Sequence, residues 1–408
     1  MIESDSSGSR SNRREPETTG RYIVVFADSE PDAPALLRSM AGVSNIADSR
    51  DFGTRAVDPL ETRDADATVF YTLGVAVVSA DPQQARSLRT SSDEGAIISV
   101  SPELIHHILT NGPDDPGENG PSSFQDTAQS TWGLQAVAAA ASPWTGNGIR
   151  VAILDTGFDS GHPDFEGRLV TVESFIPDEL PQDGHGHGTH CIGTSCGPRT
   201  PSEGAGYGVA CEAEIFSGKV LSDSGSGSDG GIIAGIDWAV TNGCAVISMS
   251  LGADIAEVHP PYTAVGQRAL DAGSLIIAAA GNNADRRQND FGFVGAPANS
   301  PFILAVGALD QQLDMAYFSA RTLPIRGGQL DVAGPGFKVY SSWPMPDRYN
   351  TISGTSMATP HAAGIAALWA QATGYRGREL WSVMVQESHR LINPSVDVGS
   401  GLVMAPQE

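Results

Sequence analysis

The chain has 408 residues, 40% of them hydrophobic and 18% charged, and a formal net charge of −24. That is the balance of a globular enzyme, long enough to bury a large core and to hold two or three domains. The acidic excess argues against nucleic acid as a partner, and no apolar run is long enough to span a membrane.

The first residues, Met1-Ile-Glu-Ser-Asp-Ser-Ser, carry no apolar segment, so no secretory signal is expected and a cytoplasmic location stays open. Residues 1–20 are polar, rich in Ser, Arg and Glu, and read as a disordered segment. Residues 21–109 read as a small unit of their own. A strand is predicted at Arg21–Phe26, a helix from Asp32 to Met40, and two strands around Gly74 within Val69–Val78. A helix opened by Asp81-Pro82 and a final strand at Ile97–Val100 follow. This order describes a small α+β, ferredoxin-like sheet with helices on one face. Residues 110–127 are rich in Pro, Gly, Asp and Asn and read as a cleavable linker.

From residue 128 to 408 near-continuous apolar strands alternate with helices. Strands are predicted at Val151–Leu154, Ile215–Leu221, Ala245–Met249, Leu275–Ala280, Phe302–Val306 and Val339–Ser342. Helices are predicted at Gly230–Thr241 and Tyr262–Ala272, with a long one after Ser356. The pattern implies an α/β domain with a doubly wound parallel sheet, whose site lies at the carboxyl ends of the strands. Asp155 directly follows such a strand, and Asn282 follows another.

Three glycine-rich segments carry residue types suited to nucleophilic catalysis: Val151-Ala-Ile-Leu-Asp-Thr-Gly157, Gly186-His-Gly-Thr-His190 and Gly354-Thr-Ser-Met-Ala-Thr-Pro-His361. A hydroxyl is a weak nucleophile that needs a base, and the base needs an orienting group. Ser356 is the candidate nucleophile, His187 the base and Asp155 the group that holds the imidazole. Asn282, in Ala278-Ala-Ala-Gly-Asn282, offers an uncharged donor to an oxyanion beside the Ser356 backbone N–H. His190 is expected to be structural and His185 exposed. The single Asp-Thr-Gly argues against an aspartic protease, and H-E-x-x-H, the metalloprotease pattern, is absent. Cys191, Cys196, Cys211 and Cys244 are too few for a disulfide framework and leave zero to two bridges open.

The order Asp, His, Ser resembles that of the subtilisin-like serine endopeptidases. The resemblance covers roughly residues 21–406. It rests on Asp155-Thr-Gly, Asp183-Gly-His-Gly-His-Gly-Thr-His190, Ser248-Met-Ser-Leu-Gly252, Ala280-Gly-Asn282 and Ser353-Gly-Thr-Ser-Met-Ala-Thr-Pro-His361. It implies a serine endopeptidase made as a self-processing zymogen, acting on proteins and peptides as a monomer and needing no cofactor for its chemistry. The alternative is a catalytically silent protein that binds peptides in the same groove. The resemblance also implies that Ser250, Leu251 and Gly252 pair with extended substrate, that Ala279, Ala280 and Gly252 line the pocket for the residue before the cut, and that Gly281 belongs to the same substrate-binding segment. Cys191 resembles the free thiol beneath the histidine in thiol-containing members. Residues 21–109 resemble the family's propeptide, an intramolecular inhibitor, whose tail Ser101–Leu109 would lie in the groove with self-cleavage after Leu109. Gln129 and Asp164 match a structural calcium site, although Gly197-Pro-Arg-Thr-Pro-Ser-Glu-Gly204 departs from the Asn-rich loop that completes it. Members are mostly secreted.

Overall fold

The structure, a computed structural model, describes residues 16–28, 32–90, 95–110 and 123–408. Most of the segment expected to be disordered, and residues 111–122 of the expected linker, lie outside those residues.

The N-terminal elements are β1 (Thr18–Phe26), α1 (Ala33–Ala41), β2 (Ile46–Asp48), β3 (Ala67–Phe70), β4 (Val75–Val78), α2 (Pro82–Thr90) and β5 (Ile97–Ile108). The Asp32 side chain caps α1 by accepting the Ala35 N–H, and Gly42 ends it in the left-handed region at φ 63°. The sheet runs β5-β1-β4-β3-β2, with α1 and α2 on one face, where Leu37 and Leu88 meet Val24, Phe26, Ala76 and Val78. Two boundaries differ from the prediction. β1 already begins at Thr18, inside the segment read as disordered. β5 continues eight residues past Val100: Ser101, Pro102 and Leu104 still pair with β1, and from Ile105 on its partners come from the second half of the chain.

That half contributes α3 (Trp132–Ala136), β6 (Arg150–Asp155), β7 (Val170–Ser174), α4 (His187–Cys196), β8 (Glu214–Lys219), β9 (Ser226–Ser228), α5 (Asp229–Thr241), β10 (Val246–Met249), β11 (Leu251–Gly252) and α6 (Pro260–Asp271). It continues with β12 (Leu275–Ala279), β13 (Leu304–Leu309), β14 (Val332–Pro335), β15 (Val339–Ser342), β16 (Tyr349–Ile352), α7 (Thr355–Thr373), α8 (Gly377–Gln386) and α9 (Ser395–Val398). A parallel seven-stranded sheet runs β14-β13-β12-β10-β6-β8-β7. Alternate residues feed its two faces. Val151 and Ile153 pack with Ile192 of α4 and Ala362 and Ile365 of α7, while Ala152 and Leu154 pack with Ile232 and Ile236 of α5 and Val265 of α6. This is the doubly wound α/β architecture expected from the strand and helix pattern. Val339–Ser342 is a strand as predicted, but it forms an antiparallel pair with β16 outside the main sheet.

The second cluster also takes in Ile23, Val25, Val75 and Val77. The N-terminal sheet therefore lays its other face on α5 and α6. β5 runs on from that sheet between β9 and β11.

Candidate active site

Three elements converge at the carboxyl edge of the main sheet. β6 ends at Asp155, α4 begins at His187, and α7 begins at Thr355, one residue before Ser356. All three side chains are buried. His187 donates through Nδ1 to Asp155 Oδ1 at 2.6 Å, and the Thr156 N–H reaches the same oxygen at 2.8 Å. That bond assigns the tautomer and leaves His187 Nε2, which has no hydrogen-bond partner among the described residues, facing the cleft as an acceptor. Burial opposes a charge on His187, but the Asp155 carboxylate and the adjacent Cys191 sulfur together outweigh it and hold the imidazole well above its ordinary pKa.

Ser356 Oγ donates to the Ser250 carbonyl at 2.9 Å, and Ser250 Oγ donates back to the Ser356 carbonyl at 2.8 Å. The Cys191 thiol ties the two segments together: its sulfur lies 3.8 Å from His187 Nδ1 and donates to Ser356 O at 3.6 Å. Burial raises the Cys191 pKa, so the thiol stays protonated. All four cysteines are free. Ser195, also in α4, lies about 12 Å along the helix from His187 and accepts from the Cys196 thiol, so it is not part of this cluster.

Asn282 follows β12. Thr355 fixes its amide, because the Thr355 N–H and Oγ1–H both donate to Asn282 Oδ1, at 3.0 and 2.9 Å. The amide nitrogen therefore points into the cleft, where it donates to the carbonyl oxygen of Leu109 at 2.6 Å. Gly354 makes this approach feasible: a Cβ there would stand 2.3 Å from Leu109 O. Leu109 is preceded by a strand in register with the cleft wall. Leu251 pairs with Ile108 and Gly252 with His107 on one side, while Ser226 pairs with His107 on the other. The Leu109 side chain lies against Gly252, where an added Cβ would come within 3.0 Å of Leu109 Cδ1. Ala279 and Ala280 are buried at the end of β12, and the Gly281 N–H donates to Thr355 Oγ1 at 3.3 Å. The structure thus links Asp155, His187, Cys191, Ser356 and Ser250 in one buried cluster and sets Asn282, Leu251 and Gly252 against the extended chain.

His190 has the structural setting expected of it. It is buried, its Nε2 donates to Val339 O at 3.0 Å, and burial pushes its pKa down to about 3. His185 is half-buried rather than exposed, and burial lowers its pKa as well.

Two residues that hold the site were not singled out by sequence reasoning. Asp183 accepts from Thr156 Oγ1, the N–H groups of His185 and Gly186, and the N–H and hydroxyl of Thr189, all within 3.0 Å. It thereby locks the turn after Asp155 to the start of α4. Lys219 is fully buried at the end of β8, donating to Thr156 O at 2.7 Å and Asp223 at 2.6 Å. A lysine closing an otherwise apolar strand in a lysine-poor chain was the available signal.

Gln129 and Asp164, the two residues matched to a calcium site, are engaged in hydrogen bonds within the protein. Asp164 Oδ1 accepts the Ser202 N–H at 2.7 Å, and Oδ2 accepts the hydroxyls of Tyr207 at 2.7 Å and Tyr349 at 2.9 Å. Gln129 is exposed, and its backbone carbonyl accepts the Gly206 N–H at 3.0 Å. Calcium takes six to eight oxygen ligands, whereas the contacts of the Asp164 carboxylate here are one amide and two hydroxyl donors.

The subtilase family matches residues 146–400. The cuticle-degrading protease of Metarhizium anisopliae is 42% identical over 230 residues, 54% of this chain and 53% of that protein. Subtilisin E of Bacillus subtilis strain 168 is 40% identical over 237 residues, 58% of each chain. Subtilisin Savinase of Lederbergia lenta is 40% identical over 277 residues, 66% of this chain and 92% of that protein. The chain spans little more than half the length of the first two and nearly all of the third.

Proposed function

The chain belongs to the subtilase family, and we propose that it is a serine endopeptidase made as a self-processing precursor. Ser356 is the nucleophile, His187 the general base and acid, Asp155 the orienting carboxylate, and Asn282 with the Ser356 N–H the oxyanion donors. The observation that carries the reading is the Leu109 carbonyl, held by Asn282 Nδ2 at 2.6 Å beside the start of α7. A carbonyl at an amide donor and a helix N-terminus is placed for attack and for stabilisation of the resulting charge.

Turning Ser356 about χ1 releases Oγ from Ser250 and directs it to His187 Nε2. Oγ then attacks the Leu109 carbonyl carbon as its proton passes to His187. Collapse of the tetrahedral intermediate returns that proton to the Thr110 nitrogen and leaves Leu109 esterified to Ser356. Water, deprotonated by His187, releases a Leu109 carboxylate and frees the serine. Protein segments cut in trans would adopt the same extended register on β9 and β11. Residues 21–109 act as a domain that assists folding and then occupies the cleft as its inhibitor, within a single, monomeric chain. The chemistry needs no cofactor beyond these side chains and the Ser356 N–H, and Asp164 clamps Tyr207 and Tyr349.

Intact mass of the purified chain beside its Ser356→Ala variant tests this. The expected result is a fragment beginning at Thr110 from the unaltered chain and full length from the variant. Processing of Ser356→Ala would overturn the assignment of the nucleophile. Two full-length chains would favour the second reading, a groove that binds peptide without cutting.

A further inference from the structure

Counting back from Leu109, the fourth residue is His106, and its side chain is fully buried. Strand register fixes it there, since His106 pairs with Gly227 of β9 while His107 pairs with Gly252 of β11. The imidazole enters a pocket between the first residues of α5 and α6. Its Nε2 donates to Asp229 Oδ1 at 2.7 Å, and its ring meets Tyr262 edge-on with centroids 5.6 Å apart. The other Asp229 oxygen accepts the Leu104 N–H at 2.7 Å and lies 3.1 Å from His259 Nε2. None of these groups takes part in the bond cleavage described above.

An aspartate without solvent exposure, in a pocket walled by an aromatic ring, is costly unless it is paired. Burial opposes its ionisation, but the bonds from His106 and His259 prevail and hold its pKa far below the carboxylate range. When residues 21–109 leave, Asp229 keeps His259 but loses the His106 ring and the Leu104 amide. A substrate restores both only if it runs extended to the sixth residue before the cut and offers a donor, best a cationic one, at the fourth. An apolar side chain there would leave the carboxylate part-paired, and a glutamate would oppose it.

We propose that Asp229, with His259 and Tyr262, forms an acidic selectivity pocket for the fourth residue before the cleaved bond, which takes a histidine side chain. The proposal rests on the endopeptidase reading and on Leu109 as the residue before the cut. It defines the substrate class as extended protein segments with histidine at the fourth position and leucine at the first.

The test uses the self-processed enzyme and three peptides that share leucine at the first position and carry His, Leu or Glu at the fourth. kcat/KM is expected to be at least about tenfold higher for His than for Leu, and lowest for Glu, because a hydrogen-bonding site rejects ligands that leave it unpaired. Asp229→Leu should reverse the His and Leu order, and the isosteric Asp229→Asn should narrow the gap. In the unaltered enzyme, equal rates for the three peptides, or a preference for Leu, would overturn the pocket and leave the endopeptidase standing. Failure to cut any of them would overturn both.

Discussion

In the proposed mechanism His187 must be neutral to accept the Ser356 proton, so its pKa sets the alkaline rise of turnover. The Asp155 carboxylate and the adjacent Cys191 sulfur together hold that pKa well above the ordinary imidazole value against the opposing effect of burial. Since the base is lost as pH falls through the raised pKa, kcat should climb with pH, its midpoint above the usual value of about 6.5. A midpoint at or below that value in a kcat profile would contradict the assignment. Asp155→Asn should move the midpoint down and cost about 10⁴ in kcat by favouring the wrong tautomer. In the proposed mechanism Asn282 acts on the developing oxyanion, its amide fixed by two bonds from Thr355. Asn282→Ala should therefore lower kcat by about 10²–10³ with little change in KM. A loss confined to KM would reassign it to ground-state positioning.

Among the elements, β11 is only two residues long, yet it meets the incoming chain at both. Its Gly252 is needed because the Leu109 side chain and the Ala296 carbonyl each lie 3.0 Å from where a Cβ would stand. Gly252→Ala should lower kcat/KM for peptides with leucine before the cut by about tenfold or more. Peptides with alanine there should lose much less, and an equal loss for both would place the effect in the strand pairing instead. The helix starts matter in the same way. α5 and α6 open against β5, and Glu103 accepts the Gly230 N–H at 2.9 Å while paired with Arg21. An acid at a helix N-terminus is favourable electrostatically, and here the acid comes from the strand that docks there.

At the scale of the molecule, the two halves share one apolar cluster. Ile23, Val25 and Val77 pack with residues of α5 and α6, and Arg268 of α6 reaches across to the carbonyls of Phe26 and Leu73, both at 2.6 Å. Burial of that surface is available only while residues 21–109 are attached or bound. Refolding of a chain that lacks residues 1–109 should yield little active enzyme, and adding those residues as a separate polypeptide should restore the yield. A normal yield from the truncated chain alone would remove the folding role.

The sequence alone singled out Asp155, His187, Ser356 and Asn282 as candidates, because each stands in a glycine-rich turn next to an apolar strand or helix, and those signals are local. The long parallel strands and their helices were legible for the same reason. Tertiary structure alone decided what depends on distant partners. β7 is half-buried along its length and shows no clear run. The His-bearing end of β5 is a strand only because β9 and β11 flank it. Asp164, matched in sequence to a calcium ligand, clamps tyrosines 43 and 185 residues away. Asp229, a helix-start residue in sequence terms, becomes a buried partner of His106 from 123 residues away. A carboxylate's role is set by the donors that surround it, and folding brings those donors together from segments that carry no local sign of one another.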